Sequence, residues 1–476
     1  MGVNVQVDVA VIGAGTAGMN AYSQLRRAGA SSVIIDQGPL GTTCARVGCM
    51  PSKAVLLAGK RWSTLRGLLP AADREHALEA LPAGSTSPQQ LWEQALATRD
   101  ELVGGNVRQL HSLAGDALLM GQARFTGPQT LQLDNGSTVE AKAFVLATGS
   151  EAVRPQALQD ALGDRLITTD ELFYLPELPR SMAIVGLGPI GLEMGVALTR
   201  LGSQVVGSNR SPKLGQMDDP EVNAAAMAHF GALFPMVFGE PVQAGRRSAG
   251  GVDFQAGSLQ AQVDWVLAAA GRAPRVGALA LEQAGAQWDD KGRLRWDAAT
   301  QQLTGIPLFL AGDVSGDRPL MHEAAVGGTM AAQHALRHLG LMGTDQALRQ
   351  RAAPLSIVFS DPDLAWVGQR FAQLPPDAVV ATTQGSGNGR SKIMQAPEHM
   401  LRLYADASSR KLLGASIFCA GGEHLAHQLA WAVQRGETVE SLLDLPYYHP
   451  TVEEMIDNAL KALRREFQKR NPSTKE

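Results

Sequence analysis

Two of the three cysteines in this 476-residue chain stand five positions apart, in the stretch Gly41-Thr42-Thr43-Cys44-Ala45-Arg46-Val47-Gly48-Cys49-Met50-Pro51-Ser52-Lys53. In a regular helix that spacing separates Cys44 and Cys49 by about 7.5 Å along the axis, on different faces. A disulfide wants Cα atoms within about 7 Å, so closing the pair needs a distorted turn, which Gly48 permits. Pro51 suits the first turn of a helix running on through Leu57. Cys49 would then sit at the positive end of a helix dipole, where a thiolate is stabilised. Spacing alone leaves two readings open: a redox-active pair, or two buried small apolar residues.

A second constellation lies near the end of the chain, Tyr448-His449-Pro450-Thr451-Val452-Glu453-Glu454. A histidine in a turn is often structural. Here a carboxylate follows at the fifth position, and Glu454 could orient and polarise the ring of His449 for acid/base work.

Two glycine-rich turns supply the elements around such chemistry. Residues 5–12 read as a strand that feeds into Gly13-Ala14-Gly15-Thr16-Ala17-Gly18, then a helix to Arg27, and a second strand ending at Asp36. Glycines there allow a tight turn and close approach to a pyrophosphate, while an acid about 20 residues on can accept ribose hydroxyls. The pattern recurs at 181–185, Gly186-Leu187-Gly188-Pro189-Ile190-Gly191, a helix to Leu201 and a strand at 204–208. Two copies of one dinucleotide-binding unit imply two dinucleotides. The second copy departs from an NAD pattern: Asn209 replaces the acid, followed by Arg210 and then Lys213. Without a carboxylate a 2'-phosphate is not repelled, and Arg210 can bind one; as solvated surface cations, Arg210 and Lys213 would carry no such meaning.

The cysteine stretch, with these turns in this order, resembles the flavin-dependent pyridine-nucleotide disulfide oxidoreductases of the dihydrolipoyl dehydrogenase and glutathione reductase group. Their redox motif reads Gly-Gly-Thr-Cys-x4-Cys-x-Pro-Ser-Lys; Thr42 stands here where the second glycine is usual. The resemblance implies an α/β fold of two Rossmann-like domains, for FAD and NAD(P), with a C-terminal α+β dimerisation domain. The expected boundaries are 1–150 for the first part of the FAD domain, 151–272 for the NAD(P) domain, 273–348 for the return to the flavin and 349–476 for the dimerisation domain. It also implies that Lys53 pairs with Glu193 beside the flavin, that Thr148, Gly149 and Asp313 contact FAD, and that Gly271 closes the nicotinamide domain. Cys44 is then the exchanging thiol and Cys49 the flavin-facing one. His449, held by Glu454, enters the active site of the other subunit of a homodimer. An arginine at the position of Arg210 is a feature of NADPH-using members. His322 and Cys419 are taken as structural.

Dihydrolipoyl dehydrogenase is the expected activity, on a small dithiol or a lipoyl domain, with FAD and either NAD(H) or NADP(H). The alternatives are an NADPH-dependent reductase of the glutathione reductase type, mercuric ion reductase and a non-catalytic flavin-binding redox sensor. The tail from Lys469 carries no cysteine pair, against the mercuric reading. Retention of the whole residue set argues against the sensor. A formal charge of -4 gives no broad basic footprint for nucleic acid or an anionic membrane, and no metal site is expected. Three cysteines cannot build a secreted disulfide framework, and the first strand leaves no room for a signal peptide, so a cytoplasmic location is expected.

Overall fold

The computed structural model describes residues 2–70, 76, 78, 86–248 and 250–470. Residues 79–85 and the tail from 471 lie outside the described residues. The chain forms two compact units.

The first unit comprises Met1–Pro51, Leu96–Val153 and Gly271–Arg351. Its centre is a seven-stranded sheet in the order Leu118–Met120, Ser32–Asp36, Asn4–Ile12, Thr138–Leu146, Thr130–Leu133, Ala123–Gly127, with Leu308–Leu310 also on Thr138–Leu146. Asn4–Ile12 pairs in parallel with both neighbours, so the chain must cross over between them; the helix Thr16–Arg27 makes the first crossing. Successive residues enter opposite layers. Val9, Val11, Ile34 and Val145 join one core, and Ala10, Ile12, Ile35 and Leu146 the other. Both faces are covered, hence the nearly continuous apolar strands. A hairpin turn at residues 134–137 joins Thr130–Leu133 to Thr138–Leu146.

The second unit comprises Ser52–Ala95, Arg154–Ala270 and Ala352–Glu476. Residues 52–95, expected within 1–150, group here. A five-stranded parallel sheet runs Met236–Phe238, Gln204–Asn209, Ser181–Val185, Trp265–Ala268, Leu166–Ile167. Leu259–Val263 ends an antiparallel three-stranded sheet, and Trp265–Ala268 enters the parallel one. Asp264 makes the corner, donating its backbone N–H to Ser181 Oγ at 2.9 Å and accepting the Ser181 N–H at 3.3 Å.

Residues from 355 fold as an antiparallel sheet in the order Leu355–Val358, Asp363–Gly368, Leu412–Cys419, Met400–Ala405, Val379–Gln384. The helices Gly422–Arg435 and Glu454–Arg470 bury apolar side chains in the same core, the latter through Met455, Ile456, Ala459, Leu460, Leu463 and Phe467. That spacing is one face of a helix. Among the described residues no helix is long and apolar enough to cross a membrane.

Candidate active site

The cysteine stretch forms two helices broken at one residue. Thr43–Val47 is a short helix capped by Thr42, whose Oγ1 accepts the Ala45 N–H at 3.1 Å. The same hydroxyl donates to Asn106 Oδ1 at 2.9 Å, so the threonine that replaces the usual glycine fixes the entry to the motif. At Gly48 the helix ends. A Cβ there would come within 3.0 Å of the Thr43 carbonyl oxygen and 3.1 Å of Cys44 Cα. The helix Cys49–Leu68 begins at the next residue, with Pro51 in its first turn. Cys49 thus occupies the N-terminal end of a 20-residue helix, and Lys53 follows one turn later on the same face. Cys44 is half-buried and Cys49 exposed.

Lys53 Nζ lies 2.8 Å from both carboxylate oxygens of Glu193, 140 residues away in sequence. Glu193 is buried in the helix Pro189–Leu201, and its Oε1 also accepts the Phe359 N–H at 3.1 Å. The Phe359 ring lies 4.5 Å from Lys53 Nζ, close enough for a cation–π contact. Phe359 therefore serves both members of the pair, and no local pattern marks it. A buried carboxylate needs such partners, because desolvation penalises the charge unless ion pairing and hydrogen bonds offset it.

The two glycine fingerprints repeat each other in geometry. Gly13 and Gly186 turn with φ of 105° and 99°. A Cβ on Gly18 would lie 1.8 Å from the Gly13 carbonyl oxygen, and one on Gly191 at 1.8 Å from that of Gly186, so helix and strand meet too closely for a side chain. At Gly15 a Cβ would meet nothing within 4 Å, and at Gly188 only Gln216 Nε2 at 3.8 Å. That open backbone at a helix N-terminus fits a pyrophosphate. Asp36 Oδ2 accepts the Ala14 N–H at 2.7 Å, and Asp36 Oδ1 that of Gly38 at 2.7 Å, leaving acceptor capacity for ribose hydroxyls. Asn209 makes the equivalent contact, accepting the Leu187 N–H at 3.1 Å. Its amide nitrogen donates to the carbonyls of Ser211 and Lys213, at 2.8 and 3.0 Å. Arg210 and Lys213 are exposed around the turn so fastened.

Thr148, Gly149 and Asp313 come together in the first unit. Thr148 Oγ1 donates to the Arg275 carbonyl at 2.7 Å, and Gly149 O accepts the Arg275 N–H at 3.0 Å. Ser150 Oγ donates to Asp313 Oδ2 at 2.8 Å, while Arg272 Nε donates to Ser150 Oγ at 2.8 Å. Ser150 and Arg272, each beside a residue the sequence did single out, thus orient Asp313. Gly271 lies in this unit, its carbonyl accepting the Val153 N–H at 3.0 Å.

In the second unit, His449 Nδ1 lies 2.9 Å from Glu454 Oε1, and the Thr451 N–H donates to Glu454 Oε2 at 3.1 Å. The hydrogen bond with His449, first, and that from Thr451 hold the Glu454 carboxyl below its usual range. The imidazole is three-quarters exposed, the carboxylate much less so. His322 is exposed and Cys419 buried. Burial, first, and the nearby Asp363 and Glu453 push the Cys419 thiol well above its usual range, which keeps it inert. Among the described residues no group of three or more His, Cys, Asp or Glu is placed to hold a metal.

The pyridine nucleotide-disulphide oxidoreductase model matches residues 7–338, and the dimerisation domain of the same family matches 355–460. A dihydrolipoyl dehydrogenase from Vibrio cholerae is 27% identical, over 96% of this chain and 95% of its own length. A mercuric reductase from Staphylococcus aureus is also 27% identical, over 92% of this chain and 79% of its own. Among solved structures, the HOCl-induced flavoprotein disulfide reductase RclA from Escherichia coli shares the fold with a TM-score of 0.79 at 20% identity, covering 95% of this chain and 99% of that one. With matches to both models along nearly its whole length, the chain belongs to the pyridine nucleotide-disulphide oxidoreductases, FAD-dependent enzymes that work with NAD(P).

Proposed function

We propose that the protein is a dihydrolipoyl dehydrogenase, oxidising dihydrolipoamide to lipoamide through a Cys44–Cys49 disulfide and FAD with reduction of NAD(P). The observation that carries this reading is the His449–Glu454 pair. With Nδ1–H donated to the carboxylate, the imidazole presents Nε2 as a base, exposed as a residue serving a partner subunit's site should be. His449 takes the proton of one substrate thiol. The thiolate attacks the Cys44 sulfur, a substrate–Cys44 disulfide forms, the Cys44–Cys49 bond breaks and Cys49 leaves as a thiolate. The second substrate thiol, once deprotonated, attacks the substrate sulfur of that mixed disulfide; the ring of lipoamide closes and Cys44 is released. Two electrons have passed to the cysteine pair and two protons have left the substrate. Cys49 at a helix N-terminus, one turn from the Lys53 ammonium, is the better leaving thiolate. Bound FAD, cradled by Gly13, Gly15, Gly18, Asp36, Thr148, Gly149 and Asp313, supplies the two-electron relay from the reduced pair to the nicotinamide.

Gly186, Gly188 and Gly191 would receive the nicotinamide dinucleotide. Because Asn209 uses its whole amide on the backbone and brings no negative charge, the turn accepts NADP(H) as well as NAD(H), with Arg210 meeting a 2'-phosphate. That feature also favours the second reading, an NADPH-dependent reductase of another disulfide. The homodimer with a shared site fits the exposed Trp431, Leu445 and Tyr448 of the dimerisation domain. Anaerobic stopped-flow reduction of the holoenzyme by dihydrolipoamide, NADH and NADPH tests the proposal. Fast reduction by dihydrolipoamide, with reoxidation by NAD+ or NADP+, is expected. Failure with dihydrolipoamide alongside fast reduction by NADPH selects the reductase.

A further inference from the structure

We propose that Asn388 is a positioning residue for the base, setting the His449 imidazole through the backbone of Thr451; the inference rests on the reading of His449 as the thiol base. Asn388 is 1% exposed. Its Oδ1 accepts the Ser391 N–H at 2.8 Å and so caps the short helix Gly389–Ile393. That contact fixes which way round the amide stands, and Nδ2 donates to the Thr451 carbonyl at 3.1 Å. Thr451 in turn donates its N–H to Glu454 Oε2, whose other oxygen holds His449 Nδ1. One line of hydrogen bonds therefore runs from a buried amide to an exposed imidazole.

The far end of this line is anchored in the core. Ser391 Oγ lies 3.2 Å from His399 Nδ1, and His399 Nε2 accepts the Ala420 N–H at 3.3 Å. Acceptance at Nε2 leaves the proton on Nδ1, donated to Ser391. Both Ser391 and His399 are fully buried. Gly389, next to Asn388, backs the ring itself: a Cβ there would stand 3.9 Å from His449 Cε1. An exposed imidazole lacks packing of its own to fix it, so its aim depends on the turn beneath, and a reacting geometry lost by about 1 Å can cost about a hundredfold in rate.

Asn388→Asp and Asn388→Ser separate the two jobs: each keeps an acceptor for the Ser391 N–H, while the Asp carboxylate has no donor for the Thr451 carbonyl and the shorter Ser side chain, its hydroxyl placed to cap the helix, no longer spans to it. The test is steady-state oxidation of dihydrolipoamide by the holoenzyme, beside NADH-driven reduction of ferricyanide, which asks nothing of a thiol base. In both variants kcat for dihydrolipoamide should fall about tenfold or more with its KM unchanged, while the ferricyanide rate holds. An unchanged thiol rate, a loss confined to the Asp variant, or a joint fall of both activities would overturn the proposal. His449→Ala is measured alongside. If it keeps thiol turnover, the reading of His449 as base fails; if it loses turnover while both Asn388 variants stay normal, only the positioning role fails.

Discussion

His449, the proposed thiol base, is the least buried member of its cluster, and the groups hydrogen-bonded behind it lie progressively deeper. His449 is three-quarters exposed and Glu454 about a quarter. Replacing His449 by Ala should reduce dihydrolipoamide turnover by about a hundredfold or more without changing the flavin spectrum. Near-normal turnover would remove it from the mechanism. The coenzyme turn makes a second residue-scale prediction. Arg210→Glu places a negative charge where a 2'-phosphate would lie, so KM for NADPH should rise about tenfold or more while KM for NADH changes little. Equal changes in both constants would show that Arg210 does not read the 2' position.

At the scale of elements, the strand Asp363–Gly368 carries a strained electrostatic choice. Asp363 Oδ2 accepts the Glu423 N–H in the first turn of the helix Gly422–Arg435, at 3.1 Å. Burial outweighs that bond and raises the carboxyl from 3.8 to about 6. A raised carboxyl in the folded chain binds its proton more tightly than in the unfolded one. Its contribution to stability is therefore complete below about pH 4 and is lost as pH rises through about 6. That rise corresponds to about 2–3 kcal/mol. Asp363→Asn keeps an acceptor for Glu423 without the charge. Denaturant unfolding should find the variant more stable than the parent at pH 8, with the difference vanishing by pH 4; a constant difference across that range would assign the effect to packing.

For the whole molecule, the match of residues 355–460 to a dimerisation domain makes a prediction about two chains at once. If each site takes its cysteines from one subunit and its histidine from the other, chains bearing Cys44→Ser or His449→Ala are each inactive alone. Unfolding and refolding them together creates mixed dimers in which one site has both intact groups. An equal mixture should then recover about a quarter of the parental turnover, by random pairing. No recovery, with mixed dimers verified, would place cysteines and histidine of one site in a single chain.

What the sequence by itself determined is the chemistry written in short spans. The glycine fingerprints at 13–18 and 186–191, the cysteine pair around Gly48 and the His449–Glu454 spacing all depend on neighbours within a few residues, whose backbone geometry local residue types dictate. The face of the helix Glu454–Arg470 was also legible, in its apolar positions from Met455 to Phe467, although the sequence reading stopped at Glu454. The tertiary structure decided what meets across long separations. It set Phe359 on both Lys53 and Glu193, Asn106 on Thr42, and Ser150 with Arg272 on Asp313. It also put the residues on either side of Asp264 into two different sheets. These outcomes follow from which buried polar groups find partners once the layers pack, and that pairing is a property of the folded interior with no periodicity along the chain.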